Sequence, residues 1–380
     1  MTTQALEPTL PRYAEASLDA LGTSVLASLG VPGEANPLQL APAARVCLLL
    51  VDGLGWELLR AHPAAAPFLS ELAVTAAPLT AGFPATTATS LASLGTGRPP
   101  GQHGILGYQV AVPGSHPLKL LNALHWDKHV DARAWQPGST IFERAAAAGV
   151  RAVRVAPRAF DGTGLSTASM RGAGYLGADT AGALVARAAS ALAGESPVLA
   201  SVYYGDLDST GHALGCLSDA WLYQLAHVDK LAEQFAAALP HGAVMHITGD
   251  HGMTDVPQAD RVDVDQIPEL REGVALLGGE PRARHVYCRP GAVEDVIANW
   301  RGVLGNRAWV LTRGQAVADG WFGPVSQSVA ARIGDVVAAP SGQAAIVATR
   351  AEPRESALVG LHGSLTQSDQ LVPLLTVTTT

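Results

Sequence analysis

Apolar strands alternating with helical stretches predict an α/β fold: a doubly wound parallel sheet flanked by helices, with a smaller inserted cap. Three observations carry this. Three runs, Arg45–Val51, Val198–Tyr204 and residues 243–248, are too continuously apolar for half-exposed strands. Each leads into an acidic segment with turn-forming glycine nearby, as at the carboxyl ends of strands in open α/β sheets, where ligands bind. The 380-residue length, 48% hydrophobic content and 15% charged content describe a large folded core rather than a disordered chain.

Taken in order, residues 14–29 read as a helix in an N-terminal arm (1–36), joined by a connector at 36–42 to the first strand. Helices are expected at 63–72, 85–94, 180–192 and 217–239, the last stopped by Pro240, with ordinary Ala-rich helix around 144–149. After Met253 the pattern changes to short strands at 262–267, 274–277 and 285–287 and a helix at 292–300. A strand at 344–348 is expected to rejoin the core. The expected division is therefore a catalytic core of 37–254 and 343–380, with 255–342 inserted as a cap.

Net charge of −8 leaves no basic footprint, which argues against binding long nucleic acid but leaves a small anionic substrate open. Cys47, Cys216 and Cys288 are odd in number and widely separated, fitting reduced thiols. No basic stretch followed by an apolar one opens the chain, and no apolar run reaches spanning length, so cytoplasmic residence without a membrane association is expected.

The chemistry-bearing residues cluster at strand ends. Asp52 follows the first strand, Asp208 and His212 stand four residues apart after the second, Asp250 and His251 follow the third, and His362 lies between Leu361 and Gly363. Any one of these is explained by a turn, a helix start or a structural histidine. Three carboxylates and three imidazoles placed in this way are not, and a mixed nitrogen and oxygen donor set suits zinc or a similar divalent ion. Thr86 and Thr87 follow Phe83-Pro84 at a helix start, where backbone N–H groups favour a phosphate-like anion; either threonine could equally be the N-cap.

These residues resemble the nucleotide pyrophosphatase/phosphodiesterase (type I phosphodiesterase) family of the alkaline phosphatase superfamily, from Val46 to about His362. Asp208-Ser209-Thr210-Gly211-His212 is similar to the family's Asp-Ser-Ser-Gly-His, Asp250-His251-Gly252-Met253 matches its Asp-His-Gly-Met, and residues 360–363 look like its late Gly-x-His-Gly. Alignment on Phe83-Pro84, checked by His103-Gly104-Ile105 downstream, puts the nucleophile on Thr87. The resemblance implies an alkaline phosphatase-like, mostly parallel sheet and two zinc ions. One would be held by Asp208, His212 and His362, and the other by Asp52, Asp250, His251 and Thr87. It implies hydrolysis of phosphodiester or phosphoanhydride bonds in a small phosphate-ester or nucleotide-like substrate through a phosphothreonine. Tyr203 stands where relatives often stack a nucleobase. Two departures are visible: Ala88 replaces the aromatic that often follows the nucleophile, and Tyr108 replaces an asparagine that binds a phosphoryl oxygen. A phosphonoacetate-type phosphonate hydrolase and a non-catalytic metal-binding scaffold are the competing readings.

Overall fold

The computed structural model describes residues 7–194 and 197–379; the first six residues of the expected N-terminal arm lie outside the described residues. The largest sheet has six strands in the spatial order Leu374–Thr378, Val244–Gly249, Arg45–Val51, Val198–Tyr204, Arg151–Ala156, Gly174–Gly177. All neighbours pair in parallel except the last strand of the chain, which runs antiparallel to Val244–Gly249.

Both faces of this sheet are covered, and the first strand shows why its sequence is apolar throughout. Successive side chains of a strand point to opposite faces. Val46, Leu48 and Leu50 join a core with Leu21, Leu91, Phe142 and Leu165 from the helices Leu18–Ser28, Thr87–Thr96, Ile141–Ala147 and Gly164–Met170. Cys47, Leu49 and Val51 pack on the other side with Leu59, Leu69, Leu184 and Leu225 from Trp56–Ala61, Pro67–Ala73, Ala181–Ala193 and Asp219–Ala238. The register sets Val51 beside both Tyr204 and Gly249, so the three acidic segments leave the sheet at one level.

A second sheet of four antiparallel strands, in the order Val274–Glu280, Ala283–Cys288, Val336–Pro340, Ala308–Thr312, follows the third acidic segment. The helix Val293–Leu304 covers one face through Val296 and Trp300, which pack on Val286, Val336 and Ala338. Val337 and Ala339, of opposite facing, join Phe83, Leu91 and Ile105 in the core beside the large sheet. The tip of its first hairpin is held by Arg282, whose guanidinium grips Asp369 through two hydrogen bonds of 2.9 and 2.7 Å.

Several expected elements differ in detail. The helix expected at 63–72 starts later, at Pro67, which fits a helix start, and runs to Ala73; a separate short helix, Trp56–Ala61, ends before Pro63 and was not anticipated. The strand expected to rejoin the core at 344–348 does not enter the large sheet: Ala345–Val347 pairs in parallel with Arg261–Asp263, with Ala345 and Val347 buried against Val256 and Leu361 and Ile346 in the core of the second sheet. The strand that returns to the large sheet is Leu374–Thr378. Cys47, Cys216 and Cys288 are free thiols. Among the described residues no helix is long and apolar enough to cross a membrane.

Candidate metal centre and its cavity

Asp52 is carried one residue past the first strand, and Gly53 makes the turn that follows it. Gly53 has φ of +73°, its N–H donates to Asp250 Oδ1 at 3.0 Å, and a Cβ there would stand 3.0 Å from the Asp208 Cα. Glycine is needed for both the left-handed backbone and the close approach. Asp208 and His212 lie one turn apart on the helix Asp206–Leu214, so both side chains project from the same face. The Asp250-His251 pair follows Val244–Gly249 directly, and His362 follows the short strand Gly360–Leu361.

All six side chains converge. His251 Nε2 is 3.3 Å from Asp52 Oδ1, 3.6 Å from Asp250 Oδ2 and 4.0 Å from Asp208 Oδ1. Asp208 Oδ1 is in turn 3.4 Å from His212 Nε2 and 4.0 Å from His362 Nε2, and those two imidazole nitrogens are 3.2 Å apart. Ligand atoms of Asp52, Asp250 and His251 lie within 4.8 Å of one another, as do those of Asp208, His251 and His362, so His251 stands between the two groups.

Two features fit this cluster to divalent cations. The Nδ1–H of His212 donates to the Gly360 carbonyl at 2.7 Å, that of His251 to Gly252 at 2.9 Å, and that of His362 to Ala85 at 2.9 Å. These bonds fix the tautomer and turn each Nε2 lone pair into the cluster. Second, Asp52 Oδ1, Asp208 Oδ1 and Asp250 Oδ2 are buried with no hydrogen-bond partner. A buried carboxylate oxygen left in this way costs several kcal/mol unless a positive group meets it.

The electrostatics carry the same tension. Burial and the Asp52 charge raise Asp208 well above the carboxylate range, and the same causes push Asp250 up to about 7. Burial also acts to raise Asp52, but the adjacent His251 imidazole, with a hydrogen bond from the Tyr203 hydroxyl, holds it below the ordinary value. His251 rises well above the usual imidazole value because Asp250, Asp52 and Asp208 outweigh its burial. His362 is driven well below it by burial and by the other two imidazoles, and His212 is lowered chiefly by burial.

Thr87 opens the helix Thr87–Thr96 and Thr86 is its N-cap residue, yet the Thr86 hydroxyl does not cap: it donates to Glu280 Oε2 at 3.0 Å. Thr87 Oγ1 lies 3.3 Å from His251 Nε2 and 3.5 Å from Asp52 Oδ2. Of the two threonines left open by the helix start, Thr87 is the one whose hydroxyl meets the cluster. His103, by contrast, is structural. Its Nδ1 accepts the Ile105 N–H at 3.1 Å, its Nε2 meets Ser93 at 3.0 Å, and burial lowers it to about 3.

A cavity of about 480 Å³ opens over Thr87, Asp208, His212 and His362. Tyr108 lines it and donates its hydroxyl proton to Glu355 at 3.1 Å. Asn122 stands alongside, its Oδ1 taking the N–H groups of Leu124 and His125 at 2.9 Å each, which leaves its amide nitrogen for the Tyr108 oxygen. Tyr203 does not line this cavity. Its hydroxyl is given to Asp52 and its ring stands edge-on to Phe160, with centroids 5.7 Å apart. Glu280 was not singled out from the sequence. It lines the cavity from the hairpin tip with Oε1 unpartnered, and burial raises it to about 8. The signal was present: Glu280 closes an apolar strand, as Asp52 does.

A family model for type I phosphodiesterase / nucleotide pyrophosphatase matches residues 46–365. Among solved structures, murine ectonucleotide pyrophosphatase/phosphodiesterase 5, in an inactive form in complex with AMP, superimposes with a TM-score of 0.69 at 18% identity over 87% of each chain. The human protein of the same name gives 0.69 at 20% identity, again over 87% of each chain. Phosphonoacetate hydrolase from Sinorhizobium meliloti, in complex with phosphonoformate, gives 0.66 at 19% identity over 88% of this chain and 90% of that one. No curated protein matches the chain by sequence.

Proposed function

Because the chain belongs to the type I phosphodiesterase / nucleotide pyrophosphatase family, and so to the metal-dependent phosphoesterases, we propose that it hydrolyses phosphodiester or phosphoanhydride bonds with Thr87 as nucleophile. The observation that carries this reading is the Thr87 hydroxyl, poised beside Asp52 and His251 at the base of the cavity. In the first step a bond forms between the Thr87 oxygen and phosphorus while the bond to the leaving oxygen breaks, giving a phosphothreonine. Water then opens that ester and restores the hydroxyl.

Asp52, Asp250 and His251 would hold one divalent cation, with the Thr87 oxygen, and Asp208, His212 and His362 the other; zinc best suits the mixed carboxylate and imidazole donors. When bound, such cations supply the Lewis acidity that favours ionised threonine and offsets charge on the phosphoryl group. The first-turn N–H groups of Thr87–Thr96 face the same anion. Tyr108, read from the sequence as a substrate contact, contributes to the cavity wall together with Asn122, and Tyr203 acts by orienting Asp52 rather than by stacking on a base. Residues 255–342 act as a cap that bounds access, with Glu280 its contribution nearest the cluster.

The phosphonate-hydrolase reading keeps one specific support. Ala88 follows Thr87 and Tyr203 faces Asp52, so a nucleobase finds neither aromatic platform. The test is hydrolysis of bis(4-nitrophenyl) phosphate by the zinc-loaded protein. Thr87→Ala is expected to lower turnover at least about a thousandfold while bound metal stays near that of the parent. Activity retained within tenfold would remove Thr87 from the nucleophile role.

A further inference from the structure

We propose that the substrate of this site carries a second anionic group, a carboxylate or a phosphate, and that Arg354 with His125 binds it. The inference rests on the reading of Thr87 as nucleophile and names the substrate class that reading leaves open.

Arg354 lines the same cavity as Thr87, and among the described residues it is the one guanidinium there. Neighbouring arginines are occupied: Arg261 by the Ser356 and Leu358 carbonyls, Arg282 by Asp369, Arg284 by Glu352. Among the described residues no side-chain partner meets Arg354. Its mooring is firm nonetheless. Arg261 holds the segment at 2.6 and 2.7 Å, Asp263 receives the Thr349 hydroxyl at 2.6 Å, and Asp265 receives the Arg350 N–H at 2.7 Å. The Arg354 side chain is exposed, so its cationic fork, carried on an anchored segment, is open to a planar or tetrahedral anion.

The remaining charges in the cavity confine where that anion sits. Glu280 and Glu355 are its carboxylates outside the candidate metal cluster, and neither offers an anion a cationic partner. Glu355 is further engaged by Tyr108, and Glu280 by Thr86. The stretch left to an anion is that of Arg354 and His125, whose loop is fixed by the bond from its own N–H to Asn122. Among the described residues Tyr108 is the only aromatic ring beside imidazole in the lining, so charge rather than stacking is what the cavity offers a substrate at this end.

The experiment measures competitive inhibition of bis(4-nitrophenyl) phosphate hydrolysis by two matched pairs, phosphonoacetate against ethylphosphonate and ADP against AMP. In each pair the second member lacks the second anion. Arg354→Gln is expected to weaken inhibition by phosphonoacetate, ADP or both by about ten- to a hundredfold, leaving the matched partner within about twofold. The pair that responds identifies carboxylate or phosphate as the source. Arg354→Lys should restore part of the loss, and His125→Ala should repeat it more weakly. Equal inhibition of parent and Arg354→Gln by all four compounds overturns the proposal. Calorimetric binding of the same compounds to Thr87→Ala protein, with and without Arg354→Gln, reads the subsite without turnover, so failure of the nucleophile assignment is seen separately.

Discussion

Tyr203 shows how a single hydroxyl changes the meaning of a residue. From the sequence its place before Asp208 suggests a flat platform for a base. In the folded chain its hydroxyl is given to Asp52, and burial with that carboxylate's charge raises the phenol well above its ordinary range. It therefore stays protonated and fixes one carboxylate oxygen. Tyr203→Phe keeps the ring and deletes the bond, so zinc affinity measured by chelator competition should fall about ten- to a hundredfold. Unchanged affinity combined with a raised KM would return Tyr203 to the role of platform. That the acids and imidazoles of this cluster could meet was legible because Asp52, Asp208 with His212, and Asp250 with His251 each come shortly after an apolar strand, and His362 sits in a glycine turn. The direction of a hydroxyl was not, since it depends on Asp52, which lies 151 positions away along the chain.

The hairpin of Val274–Glu280 and Ala283–Cys288 was legible as strands, but its delivery of Glu280 to the cavity was not. That placement depends on Arg282, which is wholly buried, as is Asp369. Asp369 also takes the Ser364 N–H through its side chain at 3.1 Å and the Gly252 N–H through its carbonyl at 2.9 Å. Asp369 thus ties the hairpin tip to the loop bearing His362 through its carboxylate and to the loop bearing His251 through its carbonyl. Removing one partner of a buried ion pair leaves the other charge uncompensated, so Arg282→Met should cost about 3–5 kcal/mol in denaturant unfolding. Arg282→Met combined with Asp369→Leu should recover a large part of that loss. A single variant within about 0.5 kcal/mol of the parent, the usual spread for near-neutral substitutions, would mean that the hairpin is held by apolar packing alone.

At the scale of the whole molecule, alternating strands and helices were enough to anticipate the doubly wound sheet, whereas its edges and the inner strand Arg151–Ala156, interrupted by Arg154, were hidden. Gly174–Gly177 begins and ends in glycine and Leu374–Thr378 is rich in threonine, so neither carries the continuous apolar signal of the central strands. The centre of the sheet gathers acids that the fold stabilises poorly by itself, and this has a consequence for stability against pH. Glu280 is raised from 4.5 to about 8 and Asp250 from 3.8 to about 7, so as pH rises the unfolded chain releases these protons before the native one does. Native protein then binds more protons than unfolded, and stability falls with pH until the folded groups have also ionised. His251, raised above 6.5, acts in the same direction, because its contribution is present below that value and is lost as pH climbs through its higher folded value. The lowered His212 and His362 oppose this only below about 6.5, where the unfolded imidazoles are still charged. The clean window is therefore from about pH 6.5 to 8.5. Over it, the melting temperature of chelator-treated protein should drop by several degrees, and Glu280→Gln should flatten part of the slope. A divalent cation held by this cluster would bind the deprotonated ligands more tightly as pH rises and stabilise the folded chain, so saturating zinc should abolish or invert the fall. A metal-free melting temperature that is level or rising across that window would mean that these carboxylates are not held protonated by burial, and that the cluster is less enclosed than its orphaned oxygens indicate.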